Sequence, residues 1–192
     1  MTLPYFTMSK TQSIKKALLI IDMQKGSFTP ETPRFDVEGV VQRINRLSSQ
    51  FREKGQPVIF IQHDGSKHNC FVPNTTEWEI LSELNIENTD LIIPKTANDS
   101  FYRTNLEAKL KELDVNELVI TGCATDFCVE AAIQSALAKD FDITVVKDAH
   151  TTADRPHLPA EKVIEHYNWI WTEMIPTKGK VDVAEAEQIS IK

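Results

Sequence analysis

Short apolar runs of strand length, separated by stretches with helical periodicity, constrain the fold of this chain more than any other feature. Residues 17–21, Ala-Leu-Leu-Ile-Ile, form an uninterrupted apolar run, which is typical of a parallel strand covered on both faces. Comparable runs recur at 57–62, 91–93, 118–121 and 143–146. Strands that alternate with helices form parallel sheets joined by right-handed crossovers. The sequence therefore predicts a doubly wound α/β fold, with a mostly parallel sheet of five or six strands and helices on both faces.

The helices are predicted by apolar residues spaced three and four positions apart. The first such face lies within 37–51 and is closed by Gly55, a residue suited to ending a helix. The last long helix has its apolar face within 163–174. Thr104 and Glu107 form a capping-box signature ahead of a shorter helix.

Length and composition predict one domain spanning residues 1–192. With 41% hydrophobic and 26% charged residues, a chain of this size buries an ordinary globular core. We expect residues 1–15 to form an N-terminal tail and residues 176–192 a C-terminal extension. Within that extension, residues 180–183 suit a short sixth strand at one edge of the sheet.

Charge and cysteine content argue against several classes of protein. The net charge is −7 and no cluster of basic residues is present, which disfavours nucleic-acid binding. No apolar run has the length of a membrane span, and the polar residues near the start do not fit a secretory signal. Three cysteines, without paired zinc-type spacing, fit a reducing compartment. We therefore expect a cytoplasmic protein whose partner is a small molecule.

Three reactive side chains follow predicted strands, at the end where doubly wound sheets bind ligands. Asp22 follows the first strand, Lys95 follows the third, and Cys128 falls in the first turn of the helix after the fourth. Thr125 or Asp126 is expected to cap that helix, and its N-terminus would lower the pKa of the Cys128 thiol. Each residue alone has an ordinary structural role. Together they predict a nucleophilic site, because a carboxylate accepts a thiol proton and a lysine holds the resulting charges.

Several segments resemble the isochorismatase-like cysteine hydrolases, the superfamily that includes nicotinamidases, carbamoylsarcosine amidohydrolases and isochorismatases. They read Leu-Ile-Ile-Asp-Met-Gln at 19–24, Ile-Pro-Lys at 93–95 with Ser-Phe and Thr-Asn-Leu shortly after, Val-Ile-Thr-Gly-Cys-Ala-Thr-Asp-Phe-Cys-Val at 119–129, and Val-Val-Lys-Asp-Ala at 145–149. They occur in the family's order over about residues 16–174. The Thr-Asp-x-Cys-Val block after a strand is specific to this family.

The resemblance implies a role for each residue of the site. Asp22 would deprotonate Cys128, and the thiolate would attack a carbonyl carbon to give an acyl-enzyme that water then releases. Lys95 would orient and stabilise the pair. The backbone N–H groups of Ala124 and Cys128 would form the oxyanion hole, and the peptide bond between Cys123 and Ala124 would be cis. Members of this family are usually oligomeric, so the resemblance also implies a homodimer or homotetramer.

The loop after the second strand departs from one branch of the family. Nicotinamidases carry an Asp and several His there as a metal site, whereas this chain reads His-Asp-Gly-Ser-Lys-His from His63 to His68. Both histidines are open as zinc ligands. We nevertheless expect no metal and no other cofactor. His63 is expected either to hydrogen-bond a neighbour or to line the pocket, and His68 is expected on a solvated loop. Phe28 and Phe101 lie in segments that line the pocket in relatives, and each is either an apolar wall for the substrate or a core residue.

These observations favour a metal-independent hydrolase that cleaves a C–N bond of a small amide, ureido or carbamoyl compound through a thioester. The alternative enzyme is an isochorismatase-type vinyl-ether hydrolase, whose specialised members often lack the cysteine found here as Cys128. A non-catalytic binding protein is a third possibility, because folds do not fix functions. A redox sensor that joins Cys123 to Cys128 is a fourth; otherwise Cys70 and Cys123 are expected to be ordinary core thiols.

Overall fold

The computed structural model describes residues 15–176 and 178–191, so the predicted N-terminal tail, Lys15 excepted, lies outside the described residues. The described part contains a sheet of six strands: β1 (Lys16–Ile21), β2 (Val58–His63), β3 (Leu91–Lys95), β4 (Glu117–Cys123), β5 (Asp142–Thr151) and β6 (Val181–Ala184). Their order is β3-β2-β1-β4-β5-β6, and each neighbouring pair is parallel. The predicted parallel α/β sheet is confirmed, and the sixth strand lies at one edge.

Four helices cover the two faces of this sheet: α1 (Val37–Glu53), α2 (Leu106–Glu112), α3 (Glu130–Leu137) and α4 (Ala160–Thr172). Alternate residues of β1 enter two separate cores. Leu19 and Ile21 pack with α2, α3 and α4 on one face, while Leu18 and Ile20 pack with α1 on the other. The whole apolar run of β1 is buried, which explains why it shows no polar alternation. No helix of the described part is both long and apolar enough to cross a membrane.

The start of α2 differs from the prediction. Leu106 N–H donates to Thr104 Oγ1, at 3.3 Å, but the capping box is not formed. Glu107 instead pairs with Lys111 and Lys139, because two ammonium groups within reach outcompete a backbone N–H for its carboxylate.

Gly122 allows β1 and β4 to approach closely near the ligand-binding end of the sheet. Its φ of +119° is unfavourable for residues with a side chain, and a Cβ atom there would lie 2.2 Å from the carbonyl oxygen of Ile21. The pairing of β4 with β5 also shifts register between Ile120 and Gly122. This irregular end of β4 leads directly into the turn that carries Cys128.

Candidate active site

The structure brings Asp22, Lys95 and Cys128 together at the carboxyl ends of the strands. Lys95 Nζ lies 2.7 Å from Asp22 Oδ2. The Cys128 thiol lies close enough for its pKa to respond to the charges of both side chains, and it donates a hydrogen bond to Asn98 Oδ1 at 3.8 Å. Strand β2 lies between β3 and β1 in the sheet, so the Lys95 side chain extends past the end of β2 to reach Asp22. This grouping supplies a nucleophile, a carboxylate and a fixed positive charge.

Lys95 is held by three acceptors. Besides Asp22, its ammonium donates to the carbonyl oxygens of Ala97 at 2.8 Å and Asn98 at 3.1 Å. The three N–H donors of the ammonium group are therefore matched by three oxygen acceptors. Burial lowers the pKa of Lys95, but the neighbouring Asp22 and Cys128 groups raise it by more, so the net shift is upward. Lys95 stays charged and acts as a positioned cation.

The carboxyl group of Asp22 is primed to accept a proton. Burial raises its pKa, and the charge of Lys95 offsets only part of that effect. Its second oxygen, Oδ1, is buried without a hydrogen-bond partner in the described part of the chain. A carboxylate with a raised pKa is a stronger base than an exposed aspartate.

The pKa of Cys128 is raised, which contradicts the lowered value expected from a helix N-terminus. Burial is the main cause, and the negative charge of Asp22 adds to it, while Lys95 offsets part. The thiol is therefore protonated at rest. Attack by its sulfur requires that Asp22 take the proton.

A single π-helical turn, Thr125–Val129, carries Cys128 and continues into α3. The N–H groups of Phe127 and Val129 both donate to the carbonyl oxygen of Ala124, each at 3.1 Å. Within the described part of the chain no side chain caps this turn, so the predicted cap by Thr125 or Asp126 is wrong. Isolated π-helical turns are frequent at functional sites.

Ala124 adjoins this turn, and the peptide bond between it and Cys123 is cis. Ala124 and Cys128 both line the cavity that contains Asp22. Ala124, which is assigned to the oxyanion hole together with the backbone of Cys128, thus borders the same space as the Cys128 side chain.

Thr125 is instead held from β5 by a buried histidine. Thr125 Oγ1 lies 2.9 Å from His150 Nδ1, and His150 Nε2 lies 3.1 Å from Asn168 Oδ1. The amide nitrogen of Asn168 donates to the carbonyl of Lys147, so Oδ1 is the acceptor for His150. His150 is therefore protonated on Nε2, and Thr125 donates to its Nδ1. Sequence analysis assigned no role to His150, because its partners Thr125 and Asn168 are distant from it in the chain.

Asp126 anchors the other side of the turn. Its carboxylate accepts two bonds from Arg155, from Nε and Nη2 at 2.7 Å each, and one from the Thr152 hydroxyl at 2.7 Å. The guanidinium of Arg155 also lies over the ring of Phe127, 5.0 Å from its centroid. These contacts fix the turn to the segment that follows β5.

A cavity of about 350 Å³ opens in front of Cys128 and Asp22, a size suited to a small ligand. His63 lines it, which is one of the two positions expected for this side chain, and Phe71 and Phe127 also border it. Arg34 and Arg155 line it as well. Phe71, Phe127, Arg34 and Arg155 were not predicted to line the cavity. Each lies in an irregular segment or a turn, and hydrophobic periodicity does not reveal the path of such segments.

The two predicted phenylalanine walls lie elsewhere. Phe28 is not part of this cavity and packs beside Val37 against the α1 core. Phe101 is buried in the opposite core, with its ring 6.0 Å from that of Phe141. Of the two alternatives left open for each ring, the structure shows packing against a hydrophobic core, where burial of apolar surface stabilises the fold.

His63 and His68 differ in their exposure to solvent. His68 is exposed on a short turn, Ser66–His68. His63 is half-buried, and burial together with the Lys95 charge lowers its pKa, so it is neutral near pH 7. In residues 15–176 and 178–191, no three His, Cys, Asp or Glu side chains are grouped as a metal site requires.

Comparison with known proteins agrees with this architecture. The family model for the isochorismatase domain matches residues 16–177. The uncharacterized isochorismatase family protein YddQ of Bacillus subtilis is 34% identical over 158 residues, covering 79% of this chain and 87% of the relative. Streptothricin hydrolase of Streptomyces noursei is 29% identical over 144 residues, covering 75% of this chain and 57% of that enzyme.

A solved structure gives the same result. The crystal structure of an isochorismatase family protein superposes with a TM-score of 0.81 at 29% identity, covering 88% of this chain and 98% of that one. The family model, the sequence similarity and the structural superposition thus agree, and the chain belongs to the isochorismatase family of hydrolases.

Proposed function

We propose that this protein is a cysteine hydrolase that cleaves a C–N bond of a small amide, ureido or carbamoyl compound through a thioester. The observation that carries the proposal is that Cys128 lines the same cavity as Asp22, beside the buried Asp22–Lys95 ion pair, whose charges both act on its thiol. A thiol, a base of raised pKa and a fixed cation are the parts that acyl transfer needs.

In the first step the Cys128 sulfur attacks the carbonyl carbon while its proton passes to Asp22. A C–S bond forms, and the carbonyl π electrons move onto oxygen. The resulting oxyanion would accept hydrogen bonds from the backbone N–H groups of Ala124 and Cys128, and these bonds would stabilise charge that develops only in the transition state. Lys95 keeps Asp22 in position throughout.

In the second step Asp22 gives its proton to the leaving nitrogen. The C–N bond breaks, the amine or ammonia departs, and the acyl group remains on Cys128 as a thioester. Asp22 then takes a proton from water, which attacks the thioester carbon. The C–S bond breaks, the acid is released, and Asp22 returns its proton to the thiolate.

The cysteine favours acyl transfer over vinyl-ether hydrolysis, because Cys128 lines the cavity beside the candidate base. The redox-sensor alternative has less support. Burial raises the pKa of Cys123 to about 12, and a thiol that stays protonated is a poor partner for disulfide exchange. No observation favours a non-catalytic binding protein.

Assembly into a homodimer or homotetramer is part of the proposal. Trp169 on α4 is 62% exposed, and its ring stacks on that of His166. Exposed aromatic residues are enriched in protein interfaces. Sedimentation equilibrium of the native chain and of Trp169→Ser would test this, with a monomeric native protein as the contradicting result.

Intact-mass spectrometry during incubation with a panel of small amides and carbamoyl compounds tests the chemistry. The native chain and Cys70→Ala, which removes a half-buried cysteine outside the site, should both release the product acid and form a transient adduct. Cys128→Ala should do neither. Product release by Cys128→Ala would refute thiol catalysis, and a Cys128 inert to both substrates and iodoacetamide would favour the binding protein.

A further inference from the structure

Two guanidinium groups line the cavity that contains Cys128, and they differ in whether their charge is already neutralised. The negative charge of Asp22 is paired with Lys95. Arg155 forms its two-fold contact with Asp126 and a further bond from Nη2 to the Thr152 hydroxyl. These two pairs are electrically balanced.

Arg34 is different. Its Nε donates to the carbonyl oxygen of Ser27 at 2.8 Å, and its backbone forms an antiparallel bridge with Ala153. Within the described ranges, its two terminal nitrogens have no hydrogen-bond acceptor and no carboxylate partner. One edge of the guanidinium is thus fixed to the backbone, and the other remains available at the cavity.

The position of Arg34 makes its charge a property of the site. Arg34 lines the same cavity as Asp22 and Cys128, and its charge is felt at the neighbouring Cys123 thiol. The chain as a whole is acidic, with a net charge of −7. The positive excess at the cavity is therefore local and is not part of a broad basic surface.

We propose that Arg34 binds a carboxylate of the substrate, so that this enzyme acts on amide, ureido or carbamoyl compounds that carry a carboxylate away from the scissile carbonyl. The inference rests on the proposed function, which it deepens by naming the substrate class. A planar guanidinium matches a carboxylate with two parallel bonds. A single unpaired cation suits a monoanion better than a phosphate dianion.

Binding to the Cys128→Ala chain tests the inference without requiring turnover. The probes are isosteric pairs that differ only in one carboxylate: succinamate with succinamide, glutaramate with glutaramide, and N-carbamoylglycine with N-carbamoylglycinamide. Titration calorimetry should give a Kd about tenfold to a hundredfold lower for the anionic member of at least one pair, the range expected for a hydrogen bond to a charged group.

Adding Arg34→Gln to the Cys128→Ala chain should abolish that preference. Arg34→Lys should retain part of it, because lysine keeps the positive charge but cannot form the two parallel hydrogen bonds of a guanidinium. Arg46→Gln is the matched control: Arg46 is an exposed residue of α1 outside the cavity, and its loss should leave the preference intact. Thermal unfolding of each variant checks the fold.

Equal affinity for both members of every pair, absence of carboxylate binding, or a preference that survives Arg34→Gln would overturn the inference. Failure of the proposed function gives a different result. In that case the carboxylate preference persists in binding, while the chain with Cys128 intact hydrolyses no member of the panel.

Discussion

Lys95 and Asp22 form a 2.7 Å ion pair in which both residues are buried, at 2% and 6% exposure. Neither charge can exchange its partner for water. Removing one member of such a pair therefore leaves the other uncompensated, which is more costly than loss of a surface pair.

Lys95→Met should lower the free energy of unfolding by about 3–5 kcal/mol. The substitution keeps the length of the side chain but leaves the Asp22 carboxyl buried without its cation. Urea unfolding measures the effect. Lys111→Met, which breaks the exposed pair with Glu107 on α2, serves as the control and should change stability little. Equal decreases in the free energy of unfolding of the two variants would contradict the claim that loss of a buried pair is more costly than loss of an exposed one.

Asp22→Asn should reduce turnover by a factor of about 10²–10⁴, the usual contribution of a general base. The amide cannot accept the thiol proton, and the raised pKa of Cys128 keeps the nucleophile protonated. Steady-state kinetics on a substrate from the panel measures this, with Asp182→Asn on the far edge strand as a control. Because the pKa of Asp22 is raised above its ordinary value of 3.8, the acid limb of the native pH–rate profile should lie above that value.

His150 should make the fold sensitive to mild acid. Burial lowers its pKa from 6.5 to about 4. Between these two pH values the imidazole is protonated in the unfolded chain but stays neutral in the folded chain. The stabilisation is complete above about pH 6.5 and is lost as pH falls towards 4. Linkage gives a loss of roughly 2 kcal/mol between about pH 7 and pH 5.

Urea unfolding at both pH values measures this loss, with His150→Gln as the comparison. The variant removes the titrating group and should show a smaller decrease. An equal decrease in both chains would exclude His150 as the source.

Gly122→Ala should destabilise the chain by more than about 3 kcal/mol, the upper end for adding atoms to a packed region. The new Cβ would meet the carbonyl of Ile21 at 2.2 Å, and backbone atoms of a central strand cannot move aside. Gly55→Ala is the control: φ is also positive, at +64°, but apart from the adjoining residues no atom of the described chain lies within 4 Å of the added Cβ. Thermal unfolding of the two variants separates the steric effect from backbone strain, because only Gly122→Ala introduces a clash. Similar losses of stability in both variants would contradict the steric explanation.

Strand periodicity was sufficient to predict where the reactive residues lie. Asp22 and Lys95 are placed by the carboxyl ends of β1 and β3, and the end of a short apolar run is visible in a sequence. The parallel sheet then brings such ends to one side. The edge strand β6 was likewise indicated by its short apolar pattern.

The surroundings of Cys128 were not predictable in the same way. The expected helix cap at Thr125 or Asp126 was wrong, because partners distant in sequence, His150 and Arg155, bind those side chains. The direction of the Cys128 pKa shift also depends on burial, which a local pattern does not report. Hydrogen-bond competition and desolvation are tertiary effects.

The position of β3 at the edge of the sheet has a dynamic consequence. Among the described strands it pairs only with β2, and Pro94 within it has no N–H to donate. Edge elements open at a lower free-energy cost than central ones. A fluctuation that releases β3 would withdraw the Lys95 ammonium while β1 and β4 stay paired. On gradual destabilisation, catalytic competence should therefore disappear before global unfolding, so that activity reports on the opening of the outermost strand.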